Sequence, residues 1–361
     1  MWTQTRFLML ALSLLAALGL SCSSVGNSGG DSKTDASAET QSHNGTDTLE
    51  ATDTQEAIDT QDGVDTATEK DTQSQTASHT DVEPWSFIVV GDSRGSDVGV
   101  NEEAWTHLVN AILGEDVDFV LFPGDLTTNG RSEQFVKWKS ITQPLYDQMG
   151  VYVIRGNHEP SLSAWNDAFS GEFQLPQNGP ENEKNLTYSV THKNAMIIGL
   201  DNYVHSTKVN QSWLDVQLSA NAKPHVFVFG HEPAFAASHK DTLDDYPEHR
   251  NAFWESLKAA GARAYFCGHD HFYAHARIDD DDADESNDIH QFIVGTAGAP
   301  LYDFNGNYTG DNGSYIPIQQ HFSKKYGYMV IVVEGYSVFM TFKERDGDSY
   351  QAVDWFEYTV G

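Results

Sequence analysis

Five short apolar runs in this chain each break off at a glycine followed by residues that bind metals or move protons. The first four are Phe87–Val90 before Gly91-Asp92-Ser93-Arg94, Asp118–Pro123 before Gly124-Asp125, Val151–Arg155 before Gly156-Asn157-His158-Glu159, and His225–Phe229 before Gly230-His231. The last is Arg263–Cys267 before Gly268-His269-Asp270-His271. Runs this short, rich in β-branched and aromatic residues and bounded by glycine, read as buried strands. A residue just past a strand end leaves the sheet at its edge, where ligands sit in open α/β sheets. Delivered to one edge, these Asp, Asn and His side chains form a nearly complete ligand set for two cations.

The segments between the runs decide the fold class. Helix-patterned stretches at 102–113, 132–149 and 162–169 alternate with the first three strands. Strand-like 186–190 and 195–200 follow, then helices at 211–219 and 250–260 around the strand beginning at Val226. Such βαβα order predicts a parallel or mixed sheet covered by helices. From 291 onward the pattern is strands alone, with a hairpin turn at Val333-Glu334-Gly335-Tyr336. The expected architecture is α/β: two packed mixed β-sheets flanked by helices, a four-layer sandwich. A long Gly, Asn and Tyr-rich loop spans 301–325.

Not all of the chain belongs to that sandwich. Residues 1–22 combine Arg6, an apolar run from Phe7 to Leu20 and a small-residue end. The run is short of the roughly 20 residues that span a bilayer, so it reads as a secretory signal. Its end, Gly19-Leu20-Ser21-Cys22, resembles a bacterial lipobox, with Gly19 where Leu is usual. Lipidation of Cys22 is expected, and ordinary cleavage with secretion is the alternative. Residues 23–83 are rich in Thr, Asp, Ser and Gln and hold too few large apolar side chains to form a core, which makes them a disordered linker. The folded domain is expected over 84–361. The formal net charge of -32 opposes nucleic-acid binding, which depends on neutralising phosphates. Cys267 has only Cys22 as a possible partner and lies in an apolar run, so it reads as a small buried hydrophobe.

The ordered set GD, GD, GNHE, GH and GHDH resembles the calcineurin-like metallophosphoesterase superfamily. The stretches Gly268–Tyr273 and Gly295–Pro300 are similar to bacterial proteins near the purple acid phosphatases. The resemblance covers about residues 85–344. Each fragment is weak alone; the order, with a strand before each, makes the set specific. It implies an exported metal-dependent phosphoesterase. Asp125 would bridge two cations, Asn157, His231 and His269 would complete one, and Asp92 and His271 would serve the other. A mixed N/O set suits Mn, Fe or Zn better than Ca. A hydroxide held between cations about 3.5–4 Å apart would attack phosphorus, with His158 as general acid.

One position departs from the pattern. The first motif usually reads Asp-X-His, and here Arg94 stands in place of the His. Leu126-Thr127-Thr128 offers no Tyr, the substitute ligand of purple acid phosphatases. A guanidinium is always charged and cannot be a ligand, so the cation at Asp92 is expected to be weakly held. Arg94 is read as a phosphate clamp, with a salt bridge to Asp97 or another surface acid as the alternative. Glu159 is a candidate to orient His158, and Tyr273, Tyr302 and Asp303 are candidates to line a pocket. The expected substrate is a phosphorylated small molecule; diesters of nucleotides or lipid headgroups, or a binding lipoprotein on the same scaffold, are the alternatives. Contact with a membrane is expected only through a lipid at Cys22.

Overall fold

The computed structural model describes residues 83–310 and 314–360. The signal segment, Cys22 and the linker up to residue 82 lie outside the described residues. Among the described residues no helix is long and apolar enough to cross a membrane.

Among the described residues thirteen strands form two mixed sheets. The first contains β1 (Trp85–Val89), β2 (Phe119–Pro123), β3 (Gly150–Ile154), β11 (Gly327–Glu334), β12 (Ser337–Asp346) and β13 (Ser349–Thr359), in the order β13-β12-β11-β1-β2-β3. The second contains β4 (Tyr188–His192), β5 (Ala195–Leu200), β6 (His225–Gly230), β7 (Ala264–Cys267), β8 (Tyr273–Asp279), β9 (Ile289–Val294) and β10 (Ile316–Ser323), in the order β10-β8-β9-β7-β6-β5-β4. β1 to β3 are parallel, as are β5, β6, β7 and β9. The expected α/β class and paired sheets are therefore what the chain adopts, including the β11–β12 hairpin, closed at Glu334 and Ser337.

Aromatic side chains fill the gap between the sheets. Phe87 of β1 meets Phe227 of β6 edge-on at 5.0 Å, and Tyr273 of β8 stacks on Phe342 of β12 at 3.7 Å. Each such side chain, once fully buried, contributes about 1.5–3 kcal/mol. Helices α1 (Glu102–Ile112) and α2 (Ser132–Tyr146) bring Trp105 and Trp138 against Phe122 of β2. Helix α3 (Leu162–Ala168) packs Trp165 on Phe135 of α2. Helix α5 (Pro247–Ala259) sets Phe253 and Trp254 against Tyr265 of β7, and α4 (Gln211–Ala220) neighbours it. Cys267 is buried in β7, as expected, its thiol donating to the Phe292 carbonyl at 3.5 Å.

Two strands escape the sequence pattern. β8 carries His275 and Arg277 within its apolar alternation, and β10 opens Ile-Pro and continues through Gln319, Gln320 and His321. The 301–325 segment is accordingly part loop and part edge strand. Tyr273 belongs to the core between the sheets, its hydroxyl donating to Asp354 at 2.6 Å, and does not line a pocket. Asp303 is exposed and paired with Lys324.

A buried polar relay crosses the same gap. Asp354 accepts from His275 Nδ1 at 2.8 Å, which leaves His275 Nε2 to accept from His290 Nδ1 at 2.7 Å. Burial, then His275 and Arg277, push His290 down to about 2. An unfolded histidine titrates near about 6.5. Between those values the unfolded chain holds a proton that the folded chain refuses, so stability falls as pH drops below about 6.5, by up to about 1.4 kcal/mol per pH unit. His290→Gln is expected to flatten the decline of melting temperature between about pH 6.5 and 4.5. An unchanged slope would remove His290 from the acid response.

Candidate metal centre

Parallel pairing brings the strand ends of both sheets to one edge. The Asp92 amide donates to the Gly124 carbonyl at 3.1 Å, Gly91 to Val294 at 3.0 Å and Gly268 to His231 at 3.0 Å, so the loops after β1, β2, β6, β7 and β9 are stitched together. Immediately past their glycines, Asp92, Asp125 and His269 take φ values of 63°, 53° and 71°. This left-handed region is rarely visited by residues other than glycine, although Asn, Asp and His enter it most readily. It costs of the order of 1 kcal/mol or more each. Buried carboxylates hold two of these turns: Glu159 accepts from the Asp125 amide at 3.1 Å, and Asp92 accepts from the His269 amide at 3.0 Å. The turns also demand glycine where backbones approach. A methyl group at Gly156 would strike Asp125 Oδ1, and one at Gly268 would strike Asp92 Oδ2.

The side chains converge with their lone pairs facing one another. Ligand atoms of Asp92, Asp125 and His231, all buried, lie within 4.8 Å of each other. His231 Nδ1 lies 2.7 Å from the Pro123 carbonyl, which can only accept, so the ring proton is there and Nε2 is bare. That bare nitrogen faces Asn157 Oδ1 at 3.2 Å and Asp125 Oδ1 at 3.4 Å. Asp92 Oδ2 is buried without a hydrogen-bond partner; His269 Nε2 lies 3.5 Å from Asp241 Oδ1, and the His269 ring lies 5.2 Å from that of His231. Buried acceptors opposed in this way are costly unless a cation lies between them. The residues present therefore fit a metal ion, and the triad Asp92, Asp125 and His231 defines one site for it.

The electrostatics agree. Burial, then the charge of Asp125, push the Asp92 carboxyl well above its usual range. Asp125 is also buried, yet His231, His158 and Arg94 hold it below the ordinary value. Burial pushes His231 down to about 4, despite the pull of Asp125, which keeps the imidazole neutral as a ligand must be.

Around this triad the remaining expected residues take definite places. His158 is half-buried, its Nδ1 2.6 Å from the Thr128 carbonyl and its Nε2 3.9 Å from Asp125 Oδ2. Its orienting partner is thus a backbone carbonyl and not Glu159. The Glu159 carboxylate is occupied beneath the centre by the amides of Asp125, Thr127 and Gly156, and burial, then Asp125, raise it to about 8. Arg94 turns away from Asp97: its Nε donates to Asp125 Oδ2 at 3.0 Å and its Nη2 to His271 Nε2 at 3.1 Å. His271 Nδ1 faces the Pro300 carbonyl at 3.1 Å, so Nε2 is the accepting atom. Burial, then Arg94, push His271 down to about 3.

A histidine outside the five motifs belongs at the rim. His239 Nδ1 bonds Asp270 at 2.7 Å, and its ring lies 4.5 Å from that of His269. Tyr302, a pocket candidate, donates to the same Asp270 oxygen at 2.7 Å. The signal for His239 in the sequence is its position in the loop that follows Gly230-His231.

The calcineurin-like phosphoesterase family pattern matches residues 87–273, more than half of the chain. The chain belongs to the calcineurin-like phosphoesterase family. A domain of this kind with a metal-competent triad is the equipment of a metal-dependent hydrolase. No curated protein matches the chain. Among solved structures it is similar to the purple acid phosphatase PPD1 from seeds of yellow lupin (Lupinus luteus), at 16% identity and a TM-score of 0.61, covering 78% of this chain. This chain spans about half, 54%, of that enzyme's length. PhoD matches at 12% identity and a TM-score of 0.59, over 79% of this chain and 71% of PhoD. GAP50, the anchor in the inner membrane complex of Plasmodium, matches at 15% and 0.54, over 77% and 89%. At these identities the likeness is one of fold.

Proposed function

We propose that this chain is an exported metal-dependent phosphoesterase that hydrolyses phosphate esters of small molecules. The observation that carries the reading is the confrontation of the buried ligand atoms of Asp92, Asp125 and His231, with Oδ1 of the exposed Asn157 facing His231, beside a half-buried His158. The donor set suits Mn, Fe or Zn, with His269 as a further ligand. Such an ion supplies positive charge to phosphoryl oxygens and lowers the pKa of water.

The chain's own residues do the rest. His158 spends its Nδ1 proton on Thr128, so any proton given to the leaving oxygen comes from Nε2, on the side of Asp125. Arg94 holds Asp125 and His271 through Nε and Nη2, neither of which is Nη1, and that nitrogen supports its reading as a phosphate contact. His239 and Tyr302, braced by Asp270, wall the approach. The stretches Gly268–Tyr273 and Gly295–Pro300 favour a place near the purple acid phosphatases within the family. The leader favours export, and Cys22 is the residue for a lipid anchor.

The test is to load the purified chain separately with Mn, Fe and Zn, count bound metal, and assay a nitrophenyl phosphate monoester and a bis-nitrophenyl diester. Monoester hydrolysis that chelation abolishes is expected. Faster cleavage of the diester would move the assignment to a phosphodiesterase. Bound metal with neither ester cleaved would leave a binding protein on this scaffold.

A further inference from the structure

We propose that the Arg94 guanidinium occupies the place of a second cation, so that the centre holds one metal ion per chain. The inference rests on the metal-centre reading above and concerns its count. A second ion would need lone pairs from Asp92, Asp125 and His271. Two of those three residues are already committed: Asp125 Oδ2 accepts from Arg94 Nε at 3.0 Å and His271 Nε2 accepts from Nη2 at 3.1 Å. A metal–nitrogen or metal–oxygen bond measures about 2.0–2.2 Å; the one lone pair of His271 Nε2 points at an N–H, and a cation bonded to Asp125 Oδ2 would lie against the guanidinium. The His271 lone pair is fixed there because the other ring nitrogen gives its proton to Pro300.

Charge leads to the same result. Asp92 and Asp125 are the two carboxylates of the triad, Asp241 stands outside it at 3.5 Å from His269 Nε2, and Arg94 already supplies one positive charge beside Asp125. One divalent ion leaves a small positive surplus for a phosphate. A second would set four formal positive charges of metal against the same two carboxylates, next to an arginine that cannot lose its proton. The guanidinium also sits in a socket made for it. Its backbone amide is bonded to the Asp125 carbonyl at 3.2 Å, and the side chain is mostly buried. The Asp125 carboxylate therefore still bridges two positive centres, with Oδ1 toward His231 and Oδ2 toward Arg94. One of the two is covalently part of the chain. Asp92, released from a second ion, keeps its unpartnered Oδ2 for the first.

The experiment is metal analysis of the purified full chain after saturation with Mn(II) and desalting, with electron paramagnetic resonance of the same samples. The expected result is one Mn per chain with the spectrum of an isolated ion. Arg94→His, which restores a ligand, should raise the count to two and give an exchange-coupled spectrum. Arg94→Ala, which only frees the lone pairs, guards against a misfolded Arg94→His. His271→Ala should leave the single ion in place, and His269→Ala should lose it. Two ions on the unaltered chain would overturn the inference and leave the metal-centre reading standing; no ion at all would overturn that reading too. A count that stays at one in both Arg94 variants would also overturn it, because Arg94 would then not be what excludes the second ion.

Discussion

Asp125→Asn is expected to empty the centre of metal and lower kcat/KM for a phosphate monoester by about a thousandfold or more. The substitution keeps the shape of the side chain, so a loss of folding is not the cause. What changes is the distribution of lone pairs. The carboxylate accepts from the His158 amide at Oδ1 and from Arg94 at Oδ2, while Oδ1 also faces the bare nitrogen of His231. An amide has one acceptor atom and must point its NH₂ at one of these partners. Turned toward Arg94 it opposes donor to donor beside a buried guanidinium; turned toward His231 it fills the metal's place with protons. Bound metal and activity should fall together, while circular dichroism of the metal-free protein shows the fold retained. Asp348→Asn, at a fully exposed carboxylate on the hairpin between β12 and β13, is the control and should change neither. Retained metal in Asp125→Asn would show that Asp125 is not a ligand.

The second large effect is that of His158→Ala. The metal count should not move, because His158 touches the centre only at 3.9 Å from Asp125 Oδ2. Turnover should fall by about 10²–10⁴-fold, the usual worth of a positioned acid. The size of the fall should depend on the leaving group. A nitrophenolate departs without help from a proton, whereas an alkoxide does not. Loss on an alkyl phosphate should therefore exceed loss on nitrophenyl phosphate by at least about tenfold. Equal losses on both esters would make His158 a binding residue and not an acid.

How much of this was legible in the sequence differs from element to element. β1, β2, β3, β6 and β7 are continuous apolar runs because they are buried on both faces, and such runs stand out. β8 and β10 do not: β8 lies inside the second sheet but carries His275 and Arg277, which find buried partners, and β10 is the half-exposed edge strand with Gln319 and Gln320. The gathering of Asp92, Asp125, Asn157, His231, His269 and His271 at one sheet edge could be read because each follows a strand end, where the backbone dictates position; the triad Asp92, Asp125 and His231 lies among them. The partners of His158 and Arg94 could not be named. The first is a backbone carbonyl that any residue at 128 would present, and the second is chosen by the angle at which two loops meet. His239 lies in a loop of its own, and its place against His269 depends on Asp270, whose packing no local pattern encodes.

The metal triad draws Asp92 and Asp125 from one sheet and His231 from the other. Neither half of the sandwich owns a complete site, so an ion bound there fastens the two halves like a rivet through a seam. Such an ion binds only the closed form and stabilises it in proportion to the logarithm of its concentration, by about 4 kcal/mol at a thousandfold excess over its dissociation constant. The same seam makes the centre a sensor of its own scaffold. Any substitution that lets the sheets slip, however far from the loops, is felt first as weaker metal binding and only later as unfolding.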